Sequence, residues 1–203
     1  MNRLIIITLL FLTISSNAQT LVDADGNSYN TVKIGNQIWL KENLKTTKFN
    51  DGTPIPLITD SANWVSSKAP AYCWYNNDEE KYKPIYGALY NWYVVDSLSN
   101  GDKNVCPVGS HVPSNTEWDI LIIYAGGVEY AGINLKETGT SHWEIPNQGA
   151  TDNYNFTALP GGTNYKGEFS DIGRYGIWWS STISSIVNQS YYRVMSYRDT
   201  KAY

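Results

Sequence analysis

The chain has 203 residues, of which 42% are hydrophobic, 14% aromatic and 17% charged. That content excludes a disordered tail, which cannot bury enough apolar surface to offset chain entropy. With Lys+Arg 15 against Asp+Glu 19 and a net charge of −4, it also excludes the clustered basic footprint of nucleic-acid binding.

Residues 1–18 read as a secretory signal peptide. Arg3 supplies a positive start, Leu4 to Ile14 is an apolar run broken by Thr8 and Thr13, and Ser16 and Ala18 form a small-x-small cleavage site. The run is shorter than the roughly 20 apolar residues that cross a bilayer. No later segment is apolar enough to do so, so the mature chain is expected to lack a transmembrane segment. The ~185 residues that remain bury about 70% of their unfolded surface, enough to fold without disulfides. Cys73 and Cys106 are the only cysteines. Export favours a disulfide between them, closing a loop of about 33 residues; two buried free thiols is the alternative. Neither cysteine has a C-x-x-C or H-x-x-x-H setting for a structural metal.

Residues 19–28 are expected to be an N-terminal arm, with 29–203 a single domain. Asp23-Ala24-Asp25-Gly26 resembles the start of a calcium loop, but a full loop needs Gly sixth and Glu twelfth; Ile34 stands at the twelfth position, so the segment reads as a turn. Gly35-Asn36 between alternating runs from Tyr29 to Ile34 and Gln37 to Leu40 predicts a hairpin. Asn50 to Pro54 is a turn cluster, Ala71 to Tyr75 a short strand, and Asp78-Glu79-Glu80 an exposed acidic turn. Gly87 to Leu98 has spacing that fits a helix. Ser114-Asn115-Thr116-Glu117 is a capping box. It predicts a helix whose core face is Trp118, Leu121, Ile122 and Ala125, stopped by Gly126-Gly127. A second short helix is expected from Tyr130 to Glu137. Strands are expected at Phe156 to Leu159, Ile177 to Ser181 and Tyr191 to Val194, with Gly161-Gly162 a turn. No repeat or linker divides the chain, which makes one α+β domain.

Catalytic signatures are sparse. The two histidines, His111 and His142, accompany no G-x-S-x-G elbow, and no glycine-rich phosphate or dinucleotide cradle is present. No cofactor is implied. The 8 Trp and 16 Tyr are the unusual resource, since their rings stack on sugar faces as readily as they fill a core.

Five ordered blocks carry a family resemblance: Val32 to Leu44 (VKIGNQIWLKENL), Tyr86 to Tyr93 (YGALYNWY), Cys106 to Trp118, Phe156 to Gly162 (FTALPGG) and Gly176 to Thr182 (GIWWSST). Together they are similar to the Fibrobacter succinogenes major paralogous domain of exported bacterial proteins. The resemblance implies a C-type-lectin-like fold: short twisted antiparallel strands with two or three helices, rich in loops. His111-Val112-Pro113-Ser114-Asn115-Thr116-Glu117-Trp118 also looks like the R-L-P-T-x-x-E-W segment of formylglycine-generating enzymes. Their activity rests on a cysteine pair near the C-terminus, and no cysteine follows Cys106, so that activity is not carried over. Nor is the calcium-dependent sugar site of C-type lectins, because Glu144-Ile145-Pro146-Asn147 breaks the E-P-N triplet and no W-N-D exists. Family members end in a strand similar to G-F-S-V-R-C. The chain reaches Tyr203 before one, so the resemblance implies a missing terminal strand and an unpaired neighbouring edge. Cys106 is then left to pair with Cys73 or to stay reduced.

The expected function is a non-catalytic binding module, secreted or held at the cell envelope, for a surface polysaccharide or a protein partner. Trp143, Tyr165 and Tyr175, in turn-rich segments, are the expected contacts. Two other readings stand beside it: a surface protein with no ligand, and an enzyme with an unrecognised site near His111 and Glu117.

Overall fold

The computed structural model describes residues 20–184 and 190–203; the expected signal peptide lies outside them. The expected hairpin forms from β2 (Ser28–Ile34) and β3 (Gln37–Leu40), with Ile34 opposite Gln37. Gly35 takes φ +59° in the two-residue turn, a conformation L side chains rarely adopt. The segment read as an arm instead supplies β1 (Thr20–Val22), antiparallel to β2. Asp23 rounds the turn between them: its carboxylate accepts from the backbone of Asp25 and Asn27, and from the Tyr29 hydroxyl at 2.6 Å. The D-x-D-G stretch is therefore a turn held by its own side chains.

The next elements are short. After α1 (Ser61–Ser66) comes β4 (Tyr72–Cys73), ended by positive φ at Asn76 and Asn77. The acidic turn expected at Asp78 is instead the start of α2 (Glu79–Tyr86). Asp78 caps it by accepting from the Lys81 N–H, and Glu79 pairs with Lys83 one turn on. The helix expected from Gly87 to Leu98 does not form. β5 (Leu89–Tyr90) pairs with β4, a 3₁₀ turn spans Trp92–Val94, and α3 (Ser97–Asn100) starts at its own cap, Asp96. Two side-chain contacts outweigh the helical spacing. Asn91 accepts from the Ala71 N–H and donates to the Ala69 carbonyl, pinning the chain to β4, and Asp96 starts the new turn.

The capped helix is α4 (Asn115–Tyr124), with the full capping box and with Trp118, Leu121, Ile122 and Ala125 all buried. The second expected helix is α5 (Ala131–Leu135). Phe156 to Leu159 is not a strand; only Ala158 bridges, to Lys136, while Phe156 fills the core. Gly161-Gly162, expected as a turn, opens β6 (Gly161–Tyr165), which pairs with β7 (Glu168–Ile172) around Lys166-Gly167. A Cβ on Gly162 would lie 2.6 Å from the Ser170 carbonyl oxygen, so the strand needs glycine there. β8 (Tyr175–Ile183) and β9 (Ser190–Ser196) contain the other two expected strands. The unpaired edge is not what β9 shows at its centre. Val194 and Tyr203 exchange both backbone hydrogen bonds, and Ala202 bridges Met195. Among the described residues the architecture is thus α+β, four small antiparallel sheets with short helices. Among the described residues no helix is long and apolar enough to cross a membrane.

Two apolar clusters hold these pieces. One gathers Trp39, Trp118, Leu121, Trp143, Phe156 and Met195 around α4. The other gathers Phe49, Ile55, Tyr72, Trp74, Val94 and Cys106 around the β4–β5 pair. Lys136 is fully buried in the fold. Its ammonium donates to the carbonyls of Gln148, Ser196 and Asp199 and lies 5.4 Å from the Trp143 ring centre. Burial pulls it down to about 8, opposed by Asp199.

Candidate functional site

A half-open groove of about 1010 Å³ takes its walls from both clusters, a volume at the top of the range for ligand sites. Asn43, just past β3, joins its sides. Its Oδ1 accepts from Trp178 Nε1 at 2.9 Å and its Nδ2 donates to the Tyr86 carbonyl at 3.0 Å. Two other indoles are tied in the same way. Trp179 Nε1 donates to the Tyr90 carbonyl at 2.8 Å, and Trp118 Nε1 to that of Trp179 at 3.3 Å. With their N–H groups used internally, what Trp178 and Trp179 offer the groove is ring surface. Consecutive strand residues point to opposite faces. Trp178 accordingly packs on Trp118 at 6.3 Å, while Trp179 meets Trp92 at 5.7 Å and Tyr192 at 6.1 Å. Tyr192 is half exposed and Tyr165 is 68% exposed; both line the groove.

The polar groups on the lining are spread out. Asn164, the Thr163–Ser170 hydroxyl pair and Asp171 come from the β6–β7 hairpin. At another part of the lining His111 Nε2 lies 2.8 Å from Glu117, whose other oxygen accepts from the Ser114 N–H and hydroxyl. Partial burial works against the Glu117 charge, but these hydrogen bonds outweigh it and hold the carboxyl below its ordinary range. Glu117 is thereby committed to the α4 cap, with His111 an exposed brace on it. Cys106 also lines the groove, yet burial pushes its thiol up to about 12, which keeps it protonated and unreactive at neutral pH. Among the described residues no cluster of three His, Cys, Asp or Glu could hold a metal ion.

Of the three expected contacts, the structure brings only Tyr165 to the groove. Trp143 is corrected to a core residue. It is 1% exposed, with Nε1 donating to the Ala158 carbonyl at 2.9 Å and its ring against the Lys136 ammonium. Tyr175 is half-buried in β8 opposite Ser196, away from the lining. Of the two readings of Cys73 and Cys106, a disulfide or buried free thiols, the structure has the second, Cys73 accepting from Asn164 Nδ2 and Cys106 packed in the second cluster. Reading the sequence by element missed Asn43, Trp178, Trp179 and Tyr192. The signal for three of them was present, since Asn43, Trp178 and Trp179 all lie in the blocks that carry the family resemblance.

The model of the Fibrobacter succinogenes major domain matches residues 32–203. The chain belongs to that family. The matched residues contain every groove residue named above, and β1 lies outside them. No curated protein and no solved structure matches the chain.

Proposed function

We propose that this member of the Fibrobacter succinogenes major domain family is an exported, non-catalytic binding module that holds a surface glycan chain in its groove. The scaffold on this reading is C-type-lectin-like. The observation that carries it is the lining itself: indoles whose N–H groups are spent on the protein, leaving ring faces, beside exposed Tyr165 and Tyr192. Sugar rings stack on such faces, with amide and hydroxyl groups fixing their orientation. The hydroxyls and amide of Thr163, Ser170 and Asn164 supply that orienting role on the β6–β7 side. A glycan array followed by titration with the best cell-wall polysaccharides tests it. Binding that weakens in Tyr165→Ala and Tyr192→Ala supports the reading, and uniform absence of binding rejects it.

A second reading, docking onto a protein, is favoured by one observation. α4 is apolar on its outer side as well as its inner one, with Ile120, Ile123 and Tyr124 at 48%, 73% and 53% exposure along one stripe.

A further inference from the structure

Tyr86 lines the groove and also a separate recess of about 350 Å³ between α2 and the loop that carries His142. Lys81, Tyr82, Ser141 and Gly173 are among its other lining residues. Behind His142, both Glu137 oxygens lie within 2.9 Å of Nδ1. A carboxylate in that position holds a proton on Nδ1 and fixes the ring's orientation. Nε2 has no hydrogen-bond partner among the described residues, and the side chain is 29% exposed. The His142 and Tyr86 rings meet edge to face, with centres 5.8 Å apart at 85°. The Lys81 ammonium rests 5.0 Å over the Tyr82 ring and makes no ion pair among the described residues. The nearby Glu144 is already paired with Arg174.

The recess therefore combines an unpaired ammonium, an imidazole with one nitrogen open, and two tyrosine faces. We propose that it binds a carboxylate carried on a ring, the carboxylate meeting Lys81 and the protonated Nε2 of His142, and the ring lying against Tyr82 and Tyr86. The class has two sources, an acidic sugar or an aromatic acid. A neutral imidazole presents a lone pair to the anion, so binding takes up a proton at His142. The charged and titratable groups facing it are Glu137, Lys81, Tyr82, Tyr86 and the Glu144–Arg174 pair. Affinity is then expected to rise as the pH falls from 7.5 to 5.5.

The test is calorimetric titration of the folded chain with glucuronate, benzoate and glucose at both pH values. The expected result is millimolar or tighter binding of one acid, stronger at pH 5.5, with glucose inert. Glucuronate alone assigns an acidic sugar, and benzoate alone an aromatic acid. Lys81→Gln should weaken the acid about fivefold or more, while its helix cap, made through the Lys81 backbone N–H, stays in place. His142→Gln should flatten the pH dependence. Binding of neither acid, equal binding of glucose, or wild-type affinity in Lys81→Gln overturns the proposal. The groove is a different surface, so its glycan binding stands or falls separately.

Discussion

Asn43 and Trp178 are 135 residues apart in sequence and 2.9 Å apart in space, joined by an indole N–H donating to an amide oxygen. The same amide holds the Tyr86 carbonyl, so one short side chain fixes the β2–β3 hairpin, the end of α2 and β8 around the groove. Asn43→Ala leaves two partly buried groups without partners. The expected loss is about 1–3 kcal/mol of stability, read from the urea midpoint with an unchanged slope.

Ser114 and Glu117 satisfy each other across the first turn of α4. Ser114→Ala should destabilise by about 1 kcal/mol. Because the folded Glu117 carboxyl is held below its unfolded value, its contribution is present above the ordinary carboxylate range and lost as pH falls through the folded value. The penalty of Ser114→Ala should therefore shrink in acid, measured as urea midpoints at neutral pH and near pH 3.

Lys136 links three carbonyls from separate segments. Lys136→Met fills the space but strands those acceptors in the core, with an expected loss of about 2–4 kcal/mol. A thermal melt compared with that of the exposed substitution Lys81→Gln checks it. Equal melting temperatures would count against a structural role for the ammonium.

Alkali should unfold the chain through its buried acids. Burial pushes the Cys73 and Cys106 thiols up to about 11 and about 12, and raises the Tyr29 and Tyr90 phenols. Folded values above the unfolded ones mean that this stability is complete below about pH 9 and is lost as pH rises. Lys136 runs the other way: its folded value is lowered to about 8, so its contribution grows between there and the unfolded value of 10.5. With these thiols and phenols raised against the lowered Lys136, the urea midpoint should fall between pH 9 and 11. A flat profile would contradict the burial assigned to these residues.

Features written in neighbouring residues were legible in the sequence. Gly35-Asn36 names its turn, and Ser114 with Glu117 names the start of α4, because the physics involved spans four residues or fewer. Features set by distant packing were not. Trp143 lies in a turn-rich stretch that reads as surface, yet Lys136 and Ala158 close over it. The β6–β7 hairpin was hidden by Gly161-Gly162, of which Gly162 serves close backbone approach rather than a turn. Of the groove, Tyr165 was legible as an exposed ring on a loop-rich segment. The Asn43 tie to Trp178 is long-range and leaves no local trace.

The most direct test is calorimetric titration of the best-binding cell-wall polysaccharide into the wild-type chain and into the Tyr165→Ala, Tyr192→Ala double variant. Both side chains are exposed, so the variant should melt like the wild type. Stacked rings are worth about 0.5–1.5 kcal/mol each, which predicts roughly fivefold to a hundredfold weaker binding in the variant. Unchanged affinity, or no polysaccharide bound by the wild type, would contradict the groove as a glycan site.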